Sequence, residues 1–222
     1  NNEDFRGKIN NERTINVSNQ EQLGTSTIAN MGNLVLNNYN DNAEASFITN
    51  TITGAGNIGF TKSNILLTDT NSLSGVTGAI NLNSDSNLTV TQSGQLNSGS
   101  TINLTDETAN LNIKSSGAFT LLNVAAGNGN INIDTSGQAF NFGNGVGSSF
   151  AGNVNLGNTT LDLKGDNTTA LKNATLVTGT DSTVNVSEIQ QTIGNLTLDG
   201  GTLVFGLTNQ QGEYWYIELI FS

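Results

Sequence analysis

The chain contains no histidine, no cysteine and no proline among its 222 residues. Without histidine, it lacks the imidazole of a Ser-His-Asp triad, of a histidine general base and of a histidine zinc site. Without cysteine, it forms neither a disulfide nor a thiolate centre. Without proline, every residue keeps the backbone N–H that central β-strands require. These absences leave carboxylate chemistry and non-catalytic binding as the open classes of function.

Charged residues are also scarce, at 11% of the chain, and the formal net charge is −11. Nucleic-acid binding and adsorption to anionic membranes both need clustered lysine and arginine. Apart from three near the amino terminus, the seven basic residues are isolated: Arg6, Lys8, Arg13, Lys62, Lys114, Lys164 and Lys172. We therefore expect no nucleic-acid partner. We also expect no membrane insertion of this chain, because no run approaches the roughly 18 apolar residues of a membrane helix.

What the chain has is a recurring triad, with an apolar residue at each end and usually Asn, Thr or Asp in the middle. Examples are Ile80–Leu82, Leu88–Val90, Ile102–Leu104, Leu111–Ile113, Ile131–Ile133, Val154–Leu156 and Val184–Val186. In a β-strand, alternate side chains point to opposite faces, so the apolar ends face a core and the middle residue faces water. Turns rich in Gly and Asn separate the triads. Such short strands predict stacking on similar neighbours, because an isolated hairpin is only marginally stable.

The spacing of the triads predicts the architecture. Every second triad recurs after about 22 residues, as from Ile80 to Ile102 and from Leu161 to Val184. A constant repeat of this length is typical of a parallel β-solenoid, in which each repeat forms one coil. We therefore expect an all-β solenoid of about ten coils over the 222 residues. A β-sandwich would show longer strands joined by hairpin turns, and no stretch has helical periodicity.

The composition changes only towards the two ends of the chain. Residues 1–14 are polar and charged, and we expect a lead-in or capping segment there, followed by the solenoid over residues 15–207. Residues 208–222 differ in being rich in large apolar side chains. We expect them to form a terminal strand or cap that covers the open core with Trp215, Ile217, Leu219 and Phe221. The alternative is a tail that continues into further chain, since an uncovered apolar strand would promote aggregation.

Residues 52–90 carry a more specific pattern. Its elements are Gly54, Gly56, Lys62, Leu67-Thr68, Asn71, Ser74-Gly75 and Leu88-Thr89-Val90. This pattern resembles the passenger-associated repeat of bacterial autotransporters, and residues 148–207 resemble pertactin-type passengers. The resemblance covers residues 15–207. It implies a right-handed parallel β-helix that is exported through the outer membrane by a carboxyl-terminal β-barrel, which we expect in the full-length protein and not in this chain.

The resemblance also implies a function at the bacterial cell surface or as a secreted protein. We expect an adhesin or a self-association factor in aggregation, biofilm formation or virulence, acting through the lateral face of the β-helix. The expected partner is a host surface glycan, a matrix protein or another copy of the chain. We expect no catalytic residue, no metal site and no cofactor, and the sequence does not specify the binding residues. A passive stalk for a functional domain outside this chain is an alternative.

Aspartates keep a polysaccharide-degrading β-helix enzyme open as a further alternative. Asp85 and Asp106 are 21 residues apart, about one coil, and could form the two-carboxylate arrangement of a glycosidase. Asp162, Asp181 and Asp199 could line one edge in the same way. We favour solvated corners, because aspartate is a common turn residue and neither an arginine cluster nor an aromatic platform accompanies them. Calcium at these corners is also disfavoured, because no Gly-Gly-x-Gly-x-Asp repeat is present.

Overall fold

The computed structural model describes residues 2–39, 48–68, 73–143, 149–164, 170–186, 190–206 and 218–221. The first described strands are β1 (Lys8–Asn11), β2 (Thr14–Val17), β3 (Thr27–Asn30), β4 (Asn33–Asn37), β5 (Ile52–Gly54), β6 (Asn57–Thr61), β7 (Asn64–Leu66), β8 (Gly75–Val76), β9 (Ile80–Leu82), β10 (Asn87–Val90), β11 (Ile102–Leu104), β12 (Asn110–Lys114) and β13 (Phe119–Leu121). They are followed by β14 (Ala125–Gly127), β15 (Asn130–Asp134), β16 (Ala139–Phe142), β17 (Ser149–Phe150), β18 (Asn153–Leu156), β19 (Thr160–Leu163), β20 (Thr175–Thr178), β21 (Thr183–Val186), β22 (Gln190–Ile193), β23 (Asn195–Leu198), β24 (Thr202–Phe205) and β25 (Glu218–Phe221). Two short 3-10 turns lie at Gln20–Gln22 and Ser93–Gln95.

The strands form long sheets that run along the stack of coils. Sheet 1 contains β1, β3, β5 and β8, and sheet 2 contains β2, β4, β6, β9, β11, β14 and β17. Sheet 3 contains β7, β10, β12, β15, β18, β20 and β23, and sheet 4 contains β13, β16, β19, β21 and β24. A short pair joins β22 to β25. Each strand therefore pairs with the corresponding strands of neighbouring coils and not with its neighbours in sequence.

The register confirms the predicted parallel β-solenoid. All strand pairs in the described ranges are parallel. In sheet 2, Ile80 pairs with Ile102, which pairs with Ala125 on the next coil. In sheet 3, Leu88 pairs with Leu111, so the coil length is about 22 residues, as the triad spacing predicts.

The predicted number of ten coils is slightly wrong, because the stack has about eight turns. Dividing the chain length by the coil length assumes that every residue belongs to a regular coil. The first strand, however, begins only at Lys8, and the register partners Gln190 and Glu218 are separated by 28 residues. These departures from the regular repeat account for part of the difference.

The core is a single narrow hydrophobic column inside the stack. In β12, Leu111 and Ile113 are fully buried, while Asn112 between them is half-buried and faces outward. Burying a leucine or isoleucine side chain contributes about 1.5–3 kcal/mol, and the column repeats this contribution on every coil. Behind sheet 4, the rings of Phe119 and Phe140 stack at 6.2 Å between centroids, and Phe142 meets Phe140 edge-on at 4.9 Å.

Tight corners join the sheets and depend on backbone that favours glycine. Gly127 has a φ of 96°, and a Cβ there would lie 1.9 Å from the carbonyl oxygen of Leu104 on the preceding coil. Gly54 has a φ of 121° and approaches the carbonyl oxygen of Asn30 in the same way. A side chain at either position would separate adjacent coils, so these glycines are required for the coil spacing.

A network of polar side chains lies in the first coils, before the first strand of sheet 3. The hydroxyl of Tyr39 donates a hydrogen bond to Oε1 of Gln20 at 2.6 Å. The amide of Gln20 in turn donates to Oδ1 of Asn50 at 2.8 Å, and Asn50 donates to the carbonyl oxygen of Ser26 at 2.9 Å. Tyr39 is almost fully buried, and this burial raises the pKa of its hydroxyl above the ordinary value.

The two ends of the described chain differ. Residues 2–7 run alongside the following coil, since Thr25 N–H donates to the carbonyl oxygen of Phe5 and Thr27 N–H to that of Gly7. At the carboxyl end, β25 pairs with β22, while Trp215 and Ile217 of the predicted cap lie outside the described residues. Within the described part of the chain, no helix has the length and hydrophobicity needed to cross a membrane.

Candidate lateral binding face

The outward surface of sheet 3 carries two parallel rows of uncharged side chains, which we call the amide face. The register places Asn64, Asn87, Asn110, Asn130, Asn153, Thr175 and Asn195 in the first row. The second row is Leu66, Thr89, Asn112, Asn132, Asn155, Val177 and Thr197. The chain has a net charge of −11, yet none of these positions carries a charged residue.

Hydrogen bonds connect the asparagines of the second row from coil to coil. Nδ2 of Asn132 donates to Oδ1 of Asn112 at 2.8 Å, and Nδ2 of Asn155 donates to Oδ1 of Asn132 at 2.7 Å. Neighbouring strands are about 4.8 Å apart, so the amides repeat at that interval along the stack. The ladder holds the amides in one orientation, because each intermediate side chain both accepts and donates.

The first row repeats the same arrangement. Nδ2 of Asn130 donates to Oδ1 of Asn110 at 3.1 Å, and Nδ2 of Asn153 donates to Oδ1 of Asn130 at 3.0 Å. A primary amide has two N–H donors and an oxygen with two lone pairs. Asn130 uses both of its donors, since its Nδ2 also donates to the carbonyl oxygen of Glu107 at 2.8 Å. The face therefore presents oriented amides at a regular interval.

A trough runs beside the second row along the axis of the stack. Its volume is about 330 Å³, and its lining includes the asparagines at positions 112, 132 and 155. The opposite side is formed by the next outward position of each coil, occupied by Lys114, Asp134 and Gly157. Lys114 and Asp134 are register partners, so their charges offset each other, and Gly157 contributes no side chain.

The corresponding outward rows of sheets 2 and 4 are interrupted or charged. In sheet 2, Nδ2 of Asn103 donates to Oδ1 of Asn81 at 2.7 Å, but the next register position is Ala126. In sheet 4, Nδ2 of Asn185 donates to Oδ1 of Asp162 at 2.6 Å, which introduces a charge into that row. The amide face is consequently the longer uncharged array.

The structure brings Asp85 and Asp106 to the same corner of adjacent coils, where both line a surface hollow of about 510 Å³. Asp106 is saturated with donors: Oδ2 accepts from the hydroxyl of Ser84 at 2.5 Å, while Oδ1 accepts from the backbone N–H and hydroxyl of Thr108. The Ser84 hydrogen bond and then those from Thr108 lower the pKa of Asp106. A glycosidase acid needs the opposite shift, so Asp106 is poorly suited to donate a proton.

The other three aspartates do not share one edge. Asp181 and Asp199 lie in the corresponding turns after β20 and β23, whereas Asp162 projects from the middle of β19. Asp162 accepts from Asn185 and forms an ion pair with Lys164 at 3.2 Å, and these contacts lower the pKa of its carboxyl, with the hydrogen bond from Asn185 as the largest cause. The expectation of a common edge is therefore wrong for Asp162. Over the described ranges, no group of three or more His, Cys, Asp or Glu residues could hold a metal ion.

The outward middle residue of each triad is predictable from the sequence, but the first row of the amide face was not predicted. That row occupies the position before each triad of sheet 3. A signal was present, because asparagine precedes the triads at positions 87, 110, 130 and 153 with the spacing of the coils. The spacing of asparagines does not predict the trough, because the trough depends on which coils lie next to the coil that contains Gly157.

Two proteins of Escherichia coli strain K12 are similar to parts of this chain. The first is "Uncharacterized lipoprotein YdeK", 37% identical over 93 residues, which cover 41% of this chain and 7% of YdeK. The second is "Uncharacterized protein YuaQ", 36% identical over 104 residues, which cover 46% of this chain and 8% of YuaQ. The chain thus spans less than a tenth of the length of these relatives. No protein-family model and no solved structure matches the chain.

Proposed function

We propose that this chain is part of the passenger of an autotransporter, a right-handed parallel β-helix at the bacterial cell surface, and that it acts as an adhesin or self-association factor. The observation that supports this proposal most directly is the amide face. It is a flat, uncharged and regularly spaced array on a stack of parallel coils. The relative named as a lipoprotein supports a location in the cell envelope.

The proposed mechanism is multivalent binding. A single amide hydrogen bond exchanged with water contributes only about 0.5–1.5 kcal/mol. An array repeated on successive coils binds one extended partner at many points, and each contact made raises the effective concentration of the next. The lack of charge on the face also matters for self-association. Two copies, each with a net charge of −11, repel one another less when they meet through uncharged surfaces.

We propose binding in preference to catalysis. The enzyme alternative relied on Asp85 and Asp106. Both line the same surface hollow, so the two carboxyls are close enough in place for the alternative to stay open. The lowered pKa of Asp106 weighs against that residue as the protonated general acid, although it suits the ionised partner that a glycosidase also needs. The described lining of the hollow contains neither an arginine nor an aromatic residue to hold a sugar, which favours binding elsewhere. Release of reducing sugar from polysaccharides, abolished by Asp85→Asn or Asp106→Asn, would reverse this preference.

The test uses microspheres coated with the purified chain. Their clumping in suspension measures self-association, and their retention on arrays of host glycans and matrix proteins measures adhesion. We expect at least one of these activities above the level of microspheres coated with an unrelated acidic protein. If the coated microspheres neither clump nor adhere, the proposed function is wrong, and the passive-stalk alternative gains support.

A further inference from the structure

The trough beside Asn112, Asn132 and Asn155 has the properties of a site for an extended polymer. It crosses three consecutive coils, and the two strand spacings between the outer coils correspond to about 10 Å. One amide projects at each coil, always from the same outward position of the strand. A ligand whose polar groups repeat along its length can therefore meet one amide at each step.

The charges of the trough favour a neutral ligand. Its lining contains one cation, Lys114, and one anion, Asp134, on adjacent strands in register. The remaining polar side chains of the lining are the three asparagines. An acidic polymer would gain no net attraction here and would meet the repulsion of a chain with a net charge of −11. Hydroxyl groups, in contrast, both donate to and accept from amides.

Gly157 leaves the trough open at its third coil. Its backbone does not adopt the left-handed conformation that favours glycine. A Cβ at this position would lie 3.3 Å from the carbonyl oxygen of Ile133 and 3.7 Å from Cβ of Asp134, so a side chain requires only a slight adjustment. The fold therefore does not demand glycine here as it does at Gly127, and the missing side chain provides space for a ligand.

We propose that this trough binds a linear, neutral polysaccharide that lies along the axis of the solenoid, with its hydroxyl groups hydrogen-bonded to Asn112, Asn132 and Asn155. This inference rests on the proposed function, since it names one class of partner for the lateral face. It differs from self-association, because the trough and not the whole face is the binding element.

The experiment is affinity electrophoresis of the purified chain in gels that contain mixed-linkage β-glucan, hydroxyethyl cellulose or galactomannan, with heparin and alginate as acidic comparisons. We expect retardation by at least one neutral polymer. Gly157→Leu, which fills the trough, is expected to weaken the retarding interaction about tenfold, equivalent to about 1.4 kcal/mol. Asn155→Ala, which removes one amide, is expected to weaken it as well.

The matched control is Asn103→Ala, which removes an amide with the same ladder contact from sheet 2. It is expected to migrate as the unmodified chain does. Circular dichroism and thermal melting establish whether each variant is folded. If Gly157→Leu is not folded, the test uses Asn155→Ala alone. The inference is overturned if no neutral polymer retards the chain, if only acidic polymers do, or if folded trough variants bind as the original chain does. Continued microsphere adhesion or clumping in that case would leave the proposed function standing.

Discussion

Asn132 donates a hydrogen bond to Asn112 across 2.8 Å, although the two residues are 20 positions apart in the sequence. They meet because they occupy the same outward position in consecutive coils. The contact therefore depends on the solenoid register and in turn helps to maintain it. A shift of one coil by one residue would move the amide of that coil to the buried side of the sheet and break the contact.

Replacing Asn132 by alanine should destabilise the fold. The substitution removes the hydrogen bonds that Asn132 makes with Asn112 and Asn155, at a cost of about 1 kcal/mol each. Asn103→Ala, which removes one such contact in sheet 2, should cost about half as much. Urea unfolding of the two variants measures the difference. Equal effects would show that the amide ladders do not contribute through their hydrogen bonds.

Two buried glutamines should respond in opposite directions to replacement by leucine. Gln191 is buried in β22, and neither its Nε2 nor its Oε1 has a hydrogen-bond partner within the described part of the chain. An unsatisfied buried amide costs about 1–3 kcal/mol, so Gln191→Leu should raise the free energy of unfolding. Gln95 is equally buried, but it donates to the carbonyl oxygen of Leu67 and accepts from Thr91 N–H. Gln95→Leu should therefore lower stability, and denaturant unfolding of both variants tests the contrast.

Tyr39 should make the fold sensitive to alkaline pH. Because burial raises its pKa in the folded state above the unfolded value of about 10, its stabilising contribution is complete below that pH. The contribution is lost progressively as the pH rises further, because the unfolded chain ionises more readily. Tyr39→Phe should lower stability at pH 7 by about 1 kcal/mol, through loss of the hydrogen bond to Gln20. It should also lose less stability than the unmodified chain between pH 9.5 and pH 11. Parallel losses in both proteins would refute this role for Tyr39.

Asp106 should contribute in the opposite pH range. Its pKa is lowered in the folded state, so its contribution is present above the ordinary carboxyl value and is lost as the pH falls through the folded value. Asp106→Asn should be less stable than the unmodified chain at pH 7, because the ionised carboxylate accepts hydrogen bonds from Ser84 and Thr108 more strongly. The difference should shrink below about pH 4. Thermal melting at several pH values measures it, and a difference that stays constant with pH would contradict this role for the carboxylate.

The sequence predicts the inward triads and the length of one coil, but not the number of coils or the polar network at the first coils. The inward triads are predictable because alternation in a strand and a repeat near 22 residues are properties of the local sequence, as in Leu111–Ile113. The coil number is not, because spacings such as the 28 positions from Gln190 to its register partner Glu218 exceed the regular repeat. The network around Tyr39 could not be predicted, because its members come from two separate connections, β2–β3 and β4–β5, and none belongs to a triad.

The candidate site was predictable only in part. An outward polar row follows from the middle residues of the triads, such as Asn132. Which residues follow one another within a row depends on the order of strands within sheet 3, which local alternation does not define. The common corner of Asp85 and Asp106 was anticipated from their spacing. Its chemistry was not, because the donors Ser84 and Thr108 lie on two different coils.

The most direct measurement is microsphere clumping and adhesion with charges introduced on one face at a time. The first variant carries Asn132→Asp and Asn155→Asp on the amide face, and the matched variant carries Asn81→Asp and Asn103→Asp on sheet 2. Both add the same negative charge at laddered asparagines. We predict that the first variant loses the activity of the unmodified chain and that the second retains it. Equal activity in the two variants, whether retained or lost, would contradict binding through the amide face.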